Sequence, residues 1–213
     1  MFATTRSRIV AEAARQLTQV GYAAFTVAAV RDALGLSSGS MFHAFPSKPA
    51  LAAAVYVEGM AAYQGAATAA IGAAREPEAA IGAWIATHLA WIEDHRDLAR
   101  YLFSTLPDEV MAEAAAPLAV HNGAFYAALD ALFVRAAGAG LVVPLPRPVA
   151  QAICIGPAQE YGRQWTRGSV SIPPRALART LERAALAGLA ATLTARKPHS
   201  SRPRSRSPKE ARS

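Results

Sequence analysis

A single cysteine, Cys154, occurs in 213 residues. An intramolecular disulfide framework is therefore excluded, and the chain fits a reducing, cytoplasmic setting. Flanked by Ile153 and Ile155, the thiol is expected to be buried and inert. Aromatic residues are sparse at 8%, and β-branched runs are few, none alternating with a period of two, so strands are not expected. No apolar run reaches the roughly 18 residues of a membrane span without a charge or a histidine. Arg6, Arg8, Glu12 and Arg15 break up any hydrophobic segment near the N-terminus, so no signal peptide is expected. The constellations of enzyme chemistry are also missing. There is no Ser-His-Asp arrangement, no paired carboxylates and no Gly-rich phosphate loop. Glu93-Asp94-His95 is an adjacent trio whose members face different directions around a helix end. His88 and His95 stand two helical turns apart, too far to share a tetrahedral ion, and His121 has no partner at ligand spacing. No enzyme activity, metal or cofactor is expected.

What remains is alanine-rich and strongly helix-forming, which predicts an all-α fold. The charge is uneven. Residues 1–51 carry five cations (Arg6, Arg8, Arg15, Arg31, Lys48) against Glu12 and Asp32. The stretch 52–196 leans slightly acidic. The tail 197–213 holds six Lys or Arg against one Glu, with no large apolar side chain, and is expected to be a disordered basic segment. It is either a solvated extension or an arm adding non-specific affinity for DNA.

The most informative stretch runs from Thr26 to Lys48. Val27, Val30 and Leu34 fall at i, i+3 and i+7, giving one apolar stripe on a helix opened by Thr26. Gly35 can take the left-handed conformation that ends it. Leu36 plugs the corner, and Ser37 or Ser38 caps a second short helix through Ser40, Met41, Phe42 and His43. Phe45 closes this helix and Pro46 stops it. Two helices across a tight turn, the second with a small polar N-terminal half, is the helix-turn-helix layout, in which the second helix enters the DNA major groove. An ordinary helical hairpin is the competing reading. It is disfavoured because Ser37, Ser38, Gly39 and Ser40 offer hydroxyls and bare backbone but nothing for a core to pack on. A preceding helix, Arg6 to Val20, bears an Ile9, Ala13, Leu17 stripe and completes a three-helix unit.

Residues 5–55 resemble the N-terminal domain of the TetR family of bacterial regulators. The anchors are Gly21-Tyr22, Thr26-Val27, Gly35-Leu36-Ser37, Gly39-Ser40-Met41-Phe42-His43 and Phe45-Pro46-Ser47-Lys48. The resemblance implies DNA contacts from Thr26, Ser37, Ser38, Gly39, Ser40, Phe42, His43 and Lys48, with Met41 and Phe45 as packing positions. Within this set Thr26 and Lys48 would meet phosphates, Lys48 beside a helix N-terminus that itself favours an anion. Two departures weaken the expected grip. Phe42 lacks the hydroxyl of the tyrosine common at its position, and Ala28 replaces a residue that commonly reaches the backbone.

Nine helices are expected, three in a helix-turn-helix domain (1–46) and six in an effector-binding and dimerisation domain (47–196). The six run over about 47–74, 78–95, 96–105, 117–137, 148–167 and 174–196, with Pro117 starting the fourth. Trp84, His88 and Trp91 share one helix face, and Phe125 lies on another with Leu129 and Leu132. With Phe103, Tyr126, Tyr161 and Trp165 they are the candidates for an apolar effector pocket, against the alternative that such stripes are core packing. Small-residue strips, Ala158 and Gly162 on one helix and Ala184, Ala187, Gly188 and Ala191 on the next beside Leu181 and Leu189, are candidates for a homodimer interface. Burial inside one subunit is the alternative there. The implied function is a dimeric regulator that binds a palindromic double-stranded operator, most simply a repressor released by a small apolar or amphipathic effector, with no membrane partner. The alternative is an all-α small-molecule-binding protein or enzyme whose helix-turn-helix is purely structural.

Overall fold

Four side-chain caps set the boundaries of the N-terminal unit. The computed structural model describes residues 4–194, and the basic tail 197–213 lies outside them. Thr4 caps α1 (Thr5–Ala24), accepting from the Ser7 amide at 3.1 Å. Thr26 caps α2 (Val27–Leu34), accepting from Ala29 N–H at 3.2 Å. Ser37, rather than Ser38, caps α3 (Ser38–Ala44) through Ser40 N–H at 3.1 Å, and Ser47 caps α4 (Lys48–Ala73) through Ala50 N–H at 3.1 Å. Each such cap is worth about 0.5–2 kcal/mol, which matters for helices as short as α2 and α3. Gly35 ends α2 in the left-handed region at φ 62°. Gly21, at φ 74°, kinks α1 one turn before its end, so the regular helix stops at Val20 as the sequence predicts. Ile9, Ala13 and Leu17 from α1, Val30 from α2, Met41 from α3 and Phe45 form the buried centre of this unit.

The larger part consists of α4, α5 (Pro77–Asp94), α6 (Arg96–Leu102), α7 (Asp108–Gly138), α8 (Arg147–Thr166) and α9 (Ala178–Thr194), the last preceded by a 3-10 turn at Pro174–Leu177. Among the described residues there are nine α-helices and no strand. The 26-residue α4 packs against α1, α5, α6 and α7. Its buried residues, from Leu51 through Val57 and Tyr63 to Ile71, lie all around the axis because it has neighbours on several sides. No described helix is long and apolar enough to cross a membrane.

Two expectations need correction. Pro117 does not start a helix. It sits inside α7, which begins nine residues earlier behind Pro107, with Asp108 and Glu109 in its first turn. Those carboxylates favour a helix N-terminus, and the alanine run before Pro117 carries the helix through. Pro117 is exposed, so water can solvate the carbonyl its missing N–H leaves free. The second correction concerns the small-residue strips. Ala158 and Leu189 are buried within the chain itself. A Cβ on Gly162 would stand 2.3 Å from Ile92 Cδ1 of α5, and one on Gly188 would meet Ile153 Cγ2 at 3.0 Å. Ala158, Gly162 and Leu189 are thus used in packing α8 and α9 against their own neighbours, while Gly188 is half-buried. Leu181 is half-buried, and Ala184, Ala187 and Ala191 of the same strip are exposed. Cys154 is buried, and burial pushes its thiol up to about 12, as expected for an inert sulfur.

Candidate nucleic-acid interface

The edge of α3 that carries the serines is open. Ser37, Ser38, Gly39, Ser40, Phe42 and His43 are all exposed, while Met41 points the other way into the core. Phe42 is 62% exposed, so its ring stands on the surface of this edge. Around Gly39 a side chain would meet only Ser37 Oγ, at 3.9 Å, so a duplex can come close to the backbone here. The hydroxyls are prearranged. Ser37 donates to Ser40 Oγ at 3.0 Å and accepts from the Ser40 amide, which leaves the Ser40 hydroxyl proton available to an outside acceptor. Ser38 Oγ accepts from Arg31 Nη1 at 3.1 Å, and Arg31 is also held by Asp32. Thr26 is exposed, its Oγ occupied as the cap of α2 and its proton free.

Lys48 is half-buried and has intramolecular work. Its ammonium donates to the Ala23 carbonyl at 3.2 Å and stands 4.5 Å from the centre of the Tyr22 ring. Tyr22 in turn donates to Glu109 at the start of α7. Burial, and then the Glu109 carboxylate, push the Tyr22 hydroxyl up to about 12, so it remains a donor. Arg6 makes a second tie: it donates to the Ala44 carbonyl at the end of α3 and lies 4.3 Å over the Phe45 ring. A cation at that carbonyl also suits the negative end of the α3 dipole. The sequence marks Arg6 and Arg31 only as positive charges; their partners are 38 and 7 residues away, beyond what local spacing reveals.

In the larger part, Trp84, His88, Trp91, Phe103 and Phe125 come together around Tyr63 of α4. Ring centroids lie 5.2 Å (His88), 5.6 Å (Trp91), 5.9 Å (Phe103) and 6.3 Å (Phe125) from that of Tyr63. Tyr63 itself carries no signal in the sequence that sets it apart. Three of the eight candidate pocket residues stay outside this cluster. Tyr126 touches Phe125 but lies beneath the Arg147 guanidinium at 4.2 Å. Tyr161 donates to the Ile172 carbonyl, and Trp165 is covered by Arg96 at 4.5 Å, so these two fasten α8 to its following loop and to α6. Among the described residues, His88 Nε2 and Gln64 Oε1 are the buried side-chain polar atoms without a hydrogen-bond partner.

Residues 9–55 match the family model described as bacterial regulatory proteins, tetR family. Over these residues the chain is similar to the N-terminal domain of the tetR family. The match begins within α1, spans α2 and α3 whole and ends within α4. Most of the chain also has the fold of solved TetR-family proteins. It is similar to a regulatory protein in the tetR family from Rhodococcus RHA1 (22% identity, 88% of this chain and 98% of that one, TM-score 0.67). It is similar to the transcriptional regulator FadR from Bacillus subtilis in complex with stearoyl-CoA (16%, 85% and 97%, 0.71). A third likeness is to the ketosteroid transcriptional regulator KstR2 of Mycobacterium tuberculosis (15%, 89% and 96%, 0.65). A comparison with curated protein sequences finds no match.

Proposed function

We propose that this protein is a cytoplasmic, homodimeric, ligand-responsive transcriptional regulator, acting as a repressor at a palindromic operator. The observation that carries the reading is the uncovered edge of α3, where capped hydroxyls, a bare glycine and an exposed phenyl ring occupy the part of a helix-turn-helix that enters the major groove. Residues 1–46 form the DNA-binding unit. Ser38, Gly39, Ser40, Phe42 and His43 meet the groove, and Thr26, Ser37 and Lys48 meet its phosphate walls. Residues 47–196 receive the effector and pair two copies. The pairing uses the outward faces of α8 and α9, where Ala152, Ala184, Ala187 and Ala191 are exposed and Gly156 has open space around it. A symmetric dimer places two α3 helices about 34–36 Å apart, one turn of DNA.

The effector is apolar or amphipathic, in keeping with the aromatic cluster and with relatives of this fold whose names specify stearoyl-CoA and ketosteroids. The lever is α4. It starts at Ser47 and Lys48, directly after the recognition helix, and some 15 residues on, about 22 Å at 1.5 Å per residue, it presents Tyr63 to the cluster. A ligand lodged against Tyr63 tilts α4, strains the Lys48–Tyr22–Glu109 tie and spoils the spacing of the two α3 helices. A coupling of about 1–3 kcal/mol suffices to release DNA. A gel shift with the DNA upstream of its own gene is the test. A shift abolished by competing duplex of the same sequence supports the reading; a chain that binds no duplex leaves the structural helix-turn-helix alternative in its place.

A further inference from the structure

The aromatic cluster contains one polar atom with nowhere to go. His88 is buried at 1% exposure, and its Nδ1 lies 2.9 Å from the Tyr63 hydroxyl, which also accepts from Trp84 Nε1 at 3.3 Å. An indole nitrogen only donates. Tyr63 therefore spends its own proton on His88 Nδ1, since the opposite polarity would leave a buried hydroxyl proton unmatched. The remaining proton of the neutral imidazole then sits on Nε2, which lacks an acceptor among the described residues. Burial keeps the ring neutral, depressing its affinity for a second proton to about 3. An orphaned buried donor costs folding free energy that an incoming acceptor would return.

Five rings of the cluster are carried by α4, α5 and α7. Phe103 is different: it caps the end of α6, at the head of the link to α7, and is only half-buried. Its ring lies 5.5 Å from His88 and 5.9 Å from Tyr63. Swinging it outward opens a phenyl-sized space beside His88 without moving a long helix.

We propose that His88 is the polar anchor of the effector site, donating from Nε2 to a carbonyl or ether oxygen of an uncharged amphipathic ligand that enters by displacing Phe103. The inference rests on the effector reading above and narrows it. A carboxylate is disfavoured because the neutral ring supplies no countercharge.

Two probes of matched shape, acetophenone and ethylbenzene, test the anchor. In Phe103→Ala the space is permanently open, and calorimetry should find acetophenone bound about five- to tenfold more tightly, the worth of one hydrogen bond. Adding His88→Phe should abolish that preference while ethylbenzene still binds. Histidine 15N spectra of the wild-type chain provide a measurement free of any folding defect. They should show the Nε2–H tautomer for His88. Equal affinity for the two probes, or a proton on Nδ1, overturns the proposal. Release of bound DNA is read separately by gel shift. An acetophenone preference without DNA release would sink the effector reading and leave the anchor standing.

Discussion

Phe42→Tyr tests the outward edge of α3 by gain rather than by loss. At 62% exposure the ring touches little of its own chain, so a hydroxyl there meets only water in the free protein. Folding stability should stay within about 0.5 kcal/mol of the wild type. If α3 sits in the groove as proposed, the new hydroxyl reaches a phosphate. A hydrogen bond to a charged acceptor contributes about 1.5–3 kcal/mol. Roughly half of that is discounted here for ordering the side chain and displacing water at a wet interface. The remainder predicts a roughly tenfold tighter complex at 1.4 kcal/mol per decade. A neutral donor displaces no counterion, so the slope of affinity against salt should not change. Ala28→Arg is the charged counterpart. Ala28 is exposed on α2, and an arginine there that engages one phosphate should steepen the slope by about 0.9 as well as raising affinity. Phosphate contacts carry no sequence information, so both gains should appear on the upstream duplex and on a scrambled one alike. Fluorescence anisotropy over a series of salt concentrations measures all of this. An unchanged or weaker complex for Phe42→Tyr, with folding intact, would refute the placement of α3.

Lys48→Ala should weaken binding to every sequence and lower the salt slope by about one; an unchanged slope would mean that Lys48 acts only through Ala23 and Tyr22. Ser37→Ala should cost about 1 kcal/mol by uncapping α3, seen as a melting temperature lower by roughly 2–4 °C. Gly162→Ala and Gly65→Ala should move stability in opposite directions. The first puts a methyl group 2.3 Å from Ile92 Cδ1, an overpacking cost of about 1–3 kcal/mol. The second adds a methyl in open space and should gain roughly 0.5–1 kcal/mol in denaturant melts. Stability should also fall in acid because of His88. Above its ordinary value of about 6.5 neither state holds the extra proton. Between there and about 3 the unfolded chain binds a proton that the folded chain refuses, so stability drops as pH falls, by roughly 1.4 kcal/mol per unit. Urea midpoints of wild type and His88→Phe between pH 7 and pH 4 should diverge accordingly, and parallel curves would show that His88 is not buried neutral.

The N-terminal unit was legible because its signals are local. Thr26, Gly35 and Ser37 act within one helical turn, and a cap or a left-handed glycine needs no knowledge of the rest of the chain. Pro117 misled for the same reason. Its local meaning is a helix start or break, yet a strong alanine run and a solvated carbonyl let α7 pass through it. The strips at Ala158, Gly162 and Gly188 were correctly seen as places of close helix approach, but spacing cannot say whether the approaching helix belongs to the same chain. Tyr63 was invisible as the hub of the aromatic cluster because its partners lie 21 to 62 residues away, on α5, α6 and α7. Periodicity placed Trp84, His88 and Trp91 on one face of α5; only packing brought Phe103 and Phe125 to them and sent Tyr161 and Trp165 elsewhere.

Amide hydrogen exchange of the intact protein with and without its upstream duplex addresses the central claim most directly. Protection on adding DNA should concentrate at Thr26, at Ser37 through His43 and at Lys48. A complex that protects other surfaces and leaves these amides unchanged would contradict it.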